Sequence, residues 1–359
     1  QSWPGALPAA RGLFLQSRDM GLDPKEIAYF QARNSEYEGD VPSAVDAAHE
    51  ALSIEPENEH RDRVLRNETL RLTRPFLTLD PYYAFDSANE RISGLNATVG
   101  WHVTKKLELR VLGGIHRWWD DDGSVRGASG GIGARYHFAP ENWILGELKG
   151  VSTNHKDVGS YPEGRLQWHG AYNLDRFSSL NGTFDLSYDR EAVQTRKAMG
   201  AGGIFADRFA SRTTARIRHW WEVDASADVI TRTDGNYTWD VRLRPTYRVF
   251  DSPLLRLGYW FELADSRFNP PEYYAPLGYM AHSAVALFRY NLLRNLTING
   301  LGSYGYGHTR GDGWHNIFRA QLNLGWRINE RVDISGGWQY LMLPDYWLHQ
   351  FGASINIRF

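Results

Sequence analysis

The 359-residue sequence has no cysteine. That excludes a disulfide framework, thiolate metal sites and a cysteine nucleophile. No stretch approaches the ~18 consecutive apolar residues that a membrane-spanning helix needs, and mean hydropathy is -0.49. Gln1 to Gly12 lacks a basic start followed by an apolar run, so any secretory signal is expected upstream or already removed. A net charge of -2 leaves no basic excess of the kind that binds nucleic acid. The 12 histidines are scattered without metal-ligand spacing, and no Gly-x-Ser-x-Gly is present. No metal, cofactor or catalytic residue is therefore expected, and the chain does not read as an enzyme. What is abundant is aromatic and glycine: 14 Trp, 19 Tyr, 16 Phe and 35 Gly. Without long helical patterns to hold them, these point to many short strands.

Charge and periodicity both change near Leu70 to Phe76. Residues 1–70 hold 7 basic and 13 acidic residues, net -6, and the rest holds 33 and 29, net +4. Before the boundary, apolar and small residues recur at helical spacing: Ile27, Ala28, Ala32, then Ala44, Ala47, Ala48, Ala51 and Leu52. Glu38-Gly39-Asp40 supplies a turn between the two runs, with Gly39 suited to a left-handed helix cap. Pro56 ends the second run, and His60–Leu72 is expected to close the segment as a further helix. The spacing over residues 25–58 resembles a tetratricopeptide repeat of about 34 residues. Ala32, Gly39, Asp40, Ala44, Ala51 and Pro56 match that pattern, while Ser35 and Ala48 depart from it. Arrays of such repeats bury their faces on one another, so further repeats are expected upstream.

From Phe76 onward the period is two. In the last segment Trp347, His349, Phe351, Ala353, Ile355, Ile357 and Phe359 share one face, and Gln350, Ser354, Asn356 and Arg358 the other. Tyr237–Arg248, Leu255–Leu263 and Trp314–Arg327 repeat the alternation, and the apolar sets tend to end in Trp or Tyr. An apolar face for lipid, a polar face for a lumen and aromatic ends at the interfaces describe a transmembrane β-barrel. Counting segments gives about sixteen strands, an even number as bacterial barrels require. Short turns are expected at Thr104–Lys106, Ala139–Asn142, Asn173–Arg176, Val223–Asp224, Asp251–Pro253, Asn291–Asn295 and Asn329–Arg331. Long connections at Asn154–Glu163, Asp189–Asp207 and Ser266–Gly278 fall at the other end. The expected fold is all-β: a sixteen-stranded antiparallel barrel over residues 73–359, preceded by a periplasmic α-helical segment over 1–72. A barrel of this width leaves an aqueous channel.

Gly127-Ala128-Ser129-Gly130-Gly131-Ile132-Gly133 mimics a dinucleotide-binding loop. No helix follows to receive a phosphate, so the run reads as a glycine-rich barrel strand. Parity instead sends charges to the lumen, among them Asp185, Asp228, Asp240, Glu262, Arg242, Arg244, Arg256 and Arg319. Pairing across neighbouring strands is the first expectation for these. A further expectation is a sugar track in which Trp220 and Trp260 stack on pyranose rings and Asp240 and Glu262 bind hydroxyl or amino groups. Arg242, Arg244 and Arg256 would hold those two carboxylates in place. Gly200, Gly202 and Gly203 in one long loop, with Tyr273 and Tyr274 in another, are expected to gate the pore. The first of these loops is too flexible and apolar to be a solvated arch and is expected to fold toward the lumen.

The order of helical repeat, then barrel, resembles the outer-membrane export porins of bacterial exopolysaccharide systems (PelB, PgaA and BcsC types), the PelB type most of all. Phe359, closing an aromatic-alternating strand, is similar to the signal read by the barrel-insertion machinery. Thr233–Asn236 and Tyr273–Pro276 are similar to turns and loops of that family. The resemblance implies export of an exopolysaccharide for a biofilm matrix through a gated barrel, the cationic amino-sugar polymer Pel in the PelB case. It implies no cofactor, outer-membrane lipid around the barrel, and a PelC-like lipoprotein ring below it. It also implies a deacetylase on the upstream repeats. Two other functions fit the same barrel pattern: a general or solute-specific diffusion porin, and a barrel that exports or modifies surface proteins.

Overall fold

The computed structural model describes residues 23–38, 41–54, 62, 64–69, 73–139, 142–156, 158–173, 180–200, 203–218, 220–293, 295–344 and 346–359. Helix α1 (Pro24–Glu38) starts where its sequence provides a cap. The Asp23 carboxylate accepts the Lys25 N–H at 2.9 Å, and Pro24 occupies a position where a missing N–H costs nothing. Helix α2 (Val41–Ser53) packs back on α1 through Ala28, Ala32, Ala47, Ala48 and Ala51, with Leu65 covering the seam. Small side chains let the two backbones approach closely, and Ala32, Ala44 and Ala51 are fully buried as their spacing predicts. Gly39, Asp40 and Pro56 lie outside the described residues, as do six of the thirteen residues of the expected closing helix. Leu65–Thr69 forms a π-helical turn.

Sixteen antiparallel strands follow and close on themselves, β1 pairing with β16. They are β1 (Phe76–Asp86), β2 (Arg91–His102), β3 (Leu107–Asp120), β4 (Gly123–Ala139), β5 (Asn142–Thr153) and β6 (Ser160–Asn173). Then come β7 (Leu180–Ala192), β8 (Phe205–Ile217), β9 (Trp221–Arg232), β10 (Tyr237–Asp251) and β11 (Leu254–Ser266). The circuit ends with β12 (Tyr279–Leu293), β13 (Leu296–His308), β14 (His315–Arg327), β15 (Val332–Leu343) and β16 (Tyr346–Arg358). Apart from the closing β1–β16 pair, strands pair only with their neighbours in the chain, and closure satisfies the backbone donors and acceptors without leaving an edge.

The alternation fixes which face points where. Val111, Ile115, Ile132, Leu148, Leu166, Phe209, Val229 and Leu257 are exposed on the outside, forming an apolar belt. Trp101, Phe138, Trp221, Tyr247 and Trp326 ring the short-turn rim, and Tyr237, Tyr306 and Trp347 the opposite, long-loop rim. The glycine-rich run lies within β4, and a Cβ on Gly131 would run into the Leu148 carbonyl of β5. Close backbone approach is thus what those glycines provide.

Three boundaries differ from expectation. Val223–Asp224 is not a turn but part of β9; the chain turns at 218–220, where Arg218 adopts a left-handed φ of 52°. Asp189–Ala192 continues β7 and Phe205–Asp207 begins β8, so that connection is 193–204 rather than Asp189–Asp207. Ser160–Glu163 likewise belongs to β6.

Candidate functional site: the lumen and its closed mouth

Inward positions of β6 to β11 carry a ladder of ion pairs. Arg208 of β8 binds Asp228 of β9 at 3.0 Å, and Arg244 of β10 binds Asp224 of β9 at 2.9 Å. Arg242 bridges Asp240 at 3.1 Å and Glu262 at 3.6 Å. Arg256 and Arg216 both bind Glu222. Of the three arginines expected to hold Asp240 and Glu262, only Arg242 does so. Arg244 and Arg256 are taken by the carboxylates of β9, two of which the misplaced turn had hidden.

Glu262 has a second partner that neighbouring-strand logic does not reach. Arg319 of β14 binds it at 2.5 Å across β12 and β13. The intervening inward positions are small, Ala281 and Ser283 on β12 with Ser303 and Gly305 on β13, and this leaves room for the long side chain. Trp260 projects into the same region between two guanidinium groups, Arg319 at 4.5 Å and Arg244 at 5.2 Å from its ring centroid. Such cation–π contacts hold an aromatic face in a polar wall. Asp185 sits nearby, accepting from His169 at 2.8 Å and Gln167 at 3.1 Å. Trp260, Arg242, Arg244, Arg319, Asp185 and Gln167 are among the residues that line a cavity of about 540 Å³.

Trp220 does not join them. It lies in the turn before β9 and stacks on the outward Tyr247, centroids 6.0 Å apart at 16°. At a strand end the ring follows the interface rather than lumen parity, which makes Trp220 part of the short-turn girdle. Phe359 is exposed beside β1, its N–H bonded to the Pro75 carbonyl at 3.0 Å.

At the long-loop mouth the described residues of the connection between β7 and β8, 193–200 and 203–204, fold inward, as the apolar glycine-rich run predicts. It carries a short helix, α3 (Arg196–Gly200). Met199 is fully buried against the inward residues Trp118, Val125, Val151 and Tyr161. The Trp118 indole N–H donates to Gln194 Oε1 at 2.7 Å. Glu90, in the β1–β2 turn, accepts the backbone N–H groups of Arg196 and Lys197 at 2.9 and 3.3 Å. Arg196 also binds Asp120 of β3 at 2.5 Å and Asp122 at 3.4 Å. A loop rooted between β7 and β8 reaches the β1–β4 wall only by crossing the mouth. Burial pushes the Glu90 carboxyl up, and the two backbone donors and Lys197 offset this only in part.

The connection 267–278 packs against this loop. Ala198 and Ile204 pack with Tyr273 and Ala275, and the Thr195 hydroxyl donates to the Glu272 carbonyl at 2.7 Å. The Tyr273 hydroxyl donates to Asp234 at 2.6 Å and accepts from Asn236 at 2.9 Å. Burial and the Asp234 carboxylate push the Tyr273 hydroxyl up to about 12. Tyr274 stacks on Tyr346 at 4.7 Å. Gly203 takes a φ of +83°, a left-handed conformation that favours glycine; Gly200 ends α3 and Gly202 is outside the described residues. Sequence reasoning missed Glu90, Trp118, Gln194 and Arg196, whose roles depend on contacts across the mouth. It also missed Arg208 and Arg212, which a regular Arg208-x-x-x-Arg212-x-x-x-Arg216 spacing could have placed on one strand face.

No family model and no curated protein match the chain by sequence. Among solved structures, a bacterial polysaccharide outer membrane secretin superposes with a TM-score of 0.62 at 15% identity, covering 80% of this chain and 99% of that one. The outer membrane protein OpdK from Pseudomonas aeruginosa gives 0.41 at 9%, covering 80% and 98%. At such identities the likeness is one of fold, and the fold is a sixteen-stranded barrel of the outer-membrane type.

Proposed function

We propose that this barrel conducts an exopolysaccharide across the bacterial outer membrane, with its N-terminal helices in the periplasm. The observation that carries the reading is a polar lumen closed at one mouth by loops that fold inward and pack on each other. A diffusion porin stays open to solutes, whereas a conduit for a polymer must seal a wide barrel between chains. The wall below the plug offers hydroxyl groups many charge-assisted partners and, in Trp260, an aromatic face. The bacterial polysaccharide outer membrane secretin has a similar fold, which supports the reading by analogy.

The acidic helical segment would dock periplasmic partners of the export system, a lipoprotein ring below the barrel and a deacetylase further upstream. Pull-down with the full chain should recover such partners. Deleting the gene should remove one polymer from the cell surface while small-solute uptake stays unchanged. In proteoliposomes the intact chain should exclude small sugars, and a chain lacking residues 193–204 should admit them. Free passage through the intact chain would favour the diffusion-porin reading.

A further inference from the structure

The charges around Trp260 are not presented evenly to the lumen. In the pairs Arg165–Asp189, Arg208–Asp228 and Arg242–Asp240 the arginine side chains are 47%, 41% and 45% exposed, and the carboxylates 21%, 4% and 12%. Glu262, held between Arg242 and Arg319, is 7% exposed. The carboxylates form a covered lower layer, and the long arginine stems carry guanidinium groups over them. Two groups depart from this pattern: Arg244 and Asp224 are equally covered, each at 15%, and Asp185 stands out at 31%. It is already engaged by His169 and Gln167.

One arginine has no such duty. Arg212 of β8 is exposed in the wall of the same cavity, with no polar partner among the described residues. It lies in register with Asp185 of β7 on one side, without an ion pair to it, and with Ser226 of β9 on the other, which in turn faces Arg242 of β10. The exposed guanidinium groups of Arg165, Arg208, Arg212 and Arg242 therefore face one cavity of about 540 Å³, a size ordinary for a small-ligand site. Guanidinium forks match carboxylates, and rings of arginine favour anions in pores. A cationic amino sugar would meet guanidinium groups before it met Asp240 or Glu262.

We infer that this cavity binds the carboxylate-bearing sugar units of an anionic, uronate-type polysaccharide, with Arg212 as a ligand-facing cation. The inference rests on the polysaccharide reading and fixes the charge of its cargo opposite to that expected from the sequence. The test is calorimetric titration of the full chain in detergent with oligogalacturonate, a chitosan oligomer and a cello-oligosaccharide of matched length. Oligogalacturonate should bind tightest, and more weakly as salt rises. Arg212→Gln should weaken it about tenfold, the scale of a lost charge-assisted contact, while Arg212→Lys should weaken it less. Tightest binding of chitosan, or equal binding of the neutral oligomer, would overturn the charge assignment and leave the polysaccharide reading standing. Oligogalacturonate binding that ignores Arg212→Gln would overturn the assignment to this cavity. Binding of none of the three would overturn both.

Discussion

Asp228 illustrates what the lumen arginines do for the wall itself. Its carboxylate is 4% exposed and held by Arg208 through two nitrogens, at 3.1 and 3.0 Å. Arg208→Met should leave that charge covered and unpaired, at a cost of about 1–3 kcal/mol, since the lost guanidinium is itself partly hydrated. Urea unfolding of the refolded barrel measures the difference, and Asp228→Asn in the same chain should recover part of it. Trp260 and Trp220 should separate cleanly. Trp260→Ala removes the aromatic face of the cavity and should lower polymer export with the barrel still inserted. Trp220→Ala removes a girdle residue and should instead lower thermal stability in bilayers, with export intact. Both were expected in the lumen. Parity placed Trp260 correctly because it lies mid-strand, whereas Trp220 lies in a turn, where alternation no longer determines direction.

In the proposed export mechanism opening depends on the plug, and Glu90, which holds it, is titratable. Glu90 faces Asp86, Asp120, Arg196, Lys197 and Tyr346. Burial raises its pKa in the docked state, and a released, hydrated Glu90 would titrate at its ordinary value. The docking stabilisation that goes with this shift is complete below the ordinary carboxylate range and is lost as pH rises through the raised value. Open probability in planar bilayers should therefore increase across that window, and Glu90→Gln should flatten the response. An unchanged pH response in Glu90→Gln would assign the titration to another group. The loop ends were poorly legible in the sequence for a physical reason. Asp189, Arg190 and Glu191 are charged like a loop, yet they extend a strand whose lumen face is polar along its whole length. Glu222 and Asp224 misled in the same way, because carboxylates on alternate positions suit a polar wall as well as a turn.

At the scale of the whole molecule, strand number, facing and closure were readable because lipid outside and water inside impose opposite demands on successive residues. Contacts that span the lumen or its mouth were not. Arg319–Glu262 crosses two strands of small residues, and α3 crosses the mouth, so neither follows from sequence neighbours. The central claim is that polymer passes through the lumen only when the plug leaves it. The chain's lack of cysteine allows a direct test, since any disulfide formed is the engineered one. Ala198 and Ala275 are fully buried in the same cluster of the two loops, which makes Ala198→Cys with Ala275→Cys the pair to lock. The measurement is surface polysaccharide from cells carrying the double variant, with cross-linking verified on gels, before and after reduction. The account predicts loss of surface polymer while the loops are locked and recovery on reduction. Undiminished export from fully cross-linked barrels would contradict it.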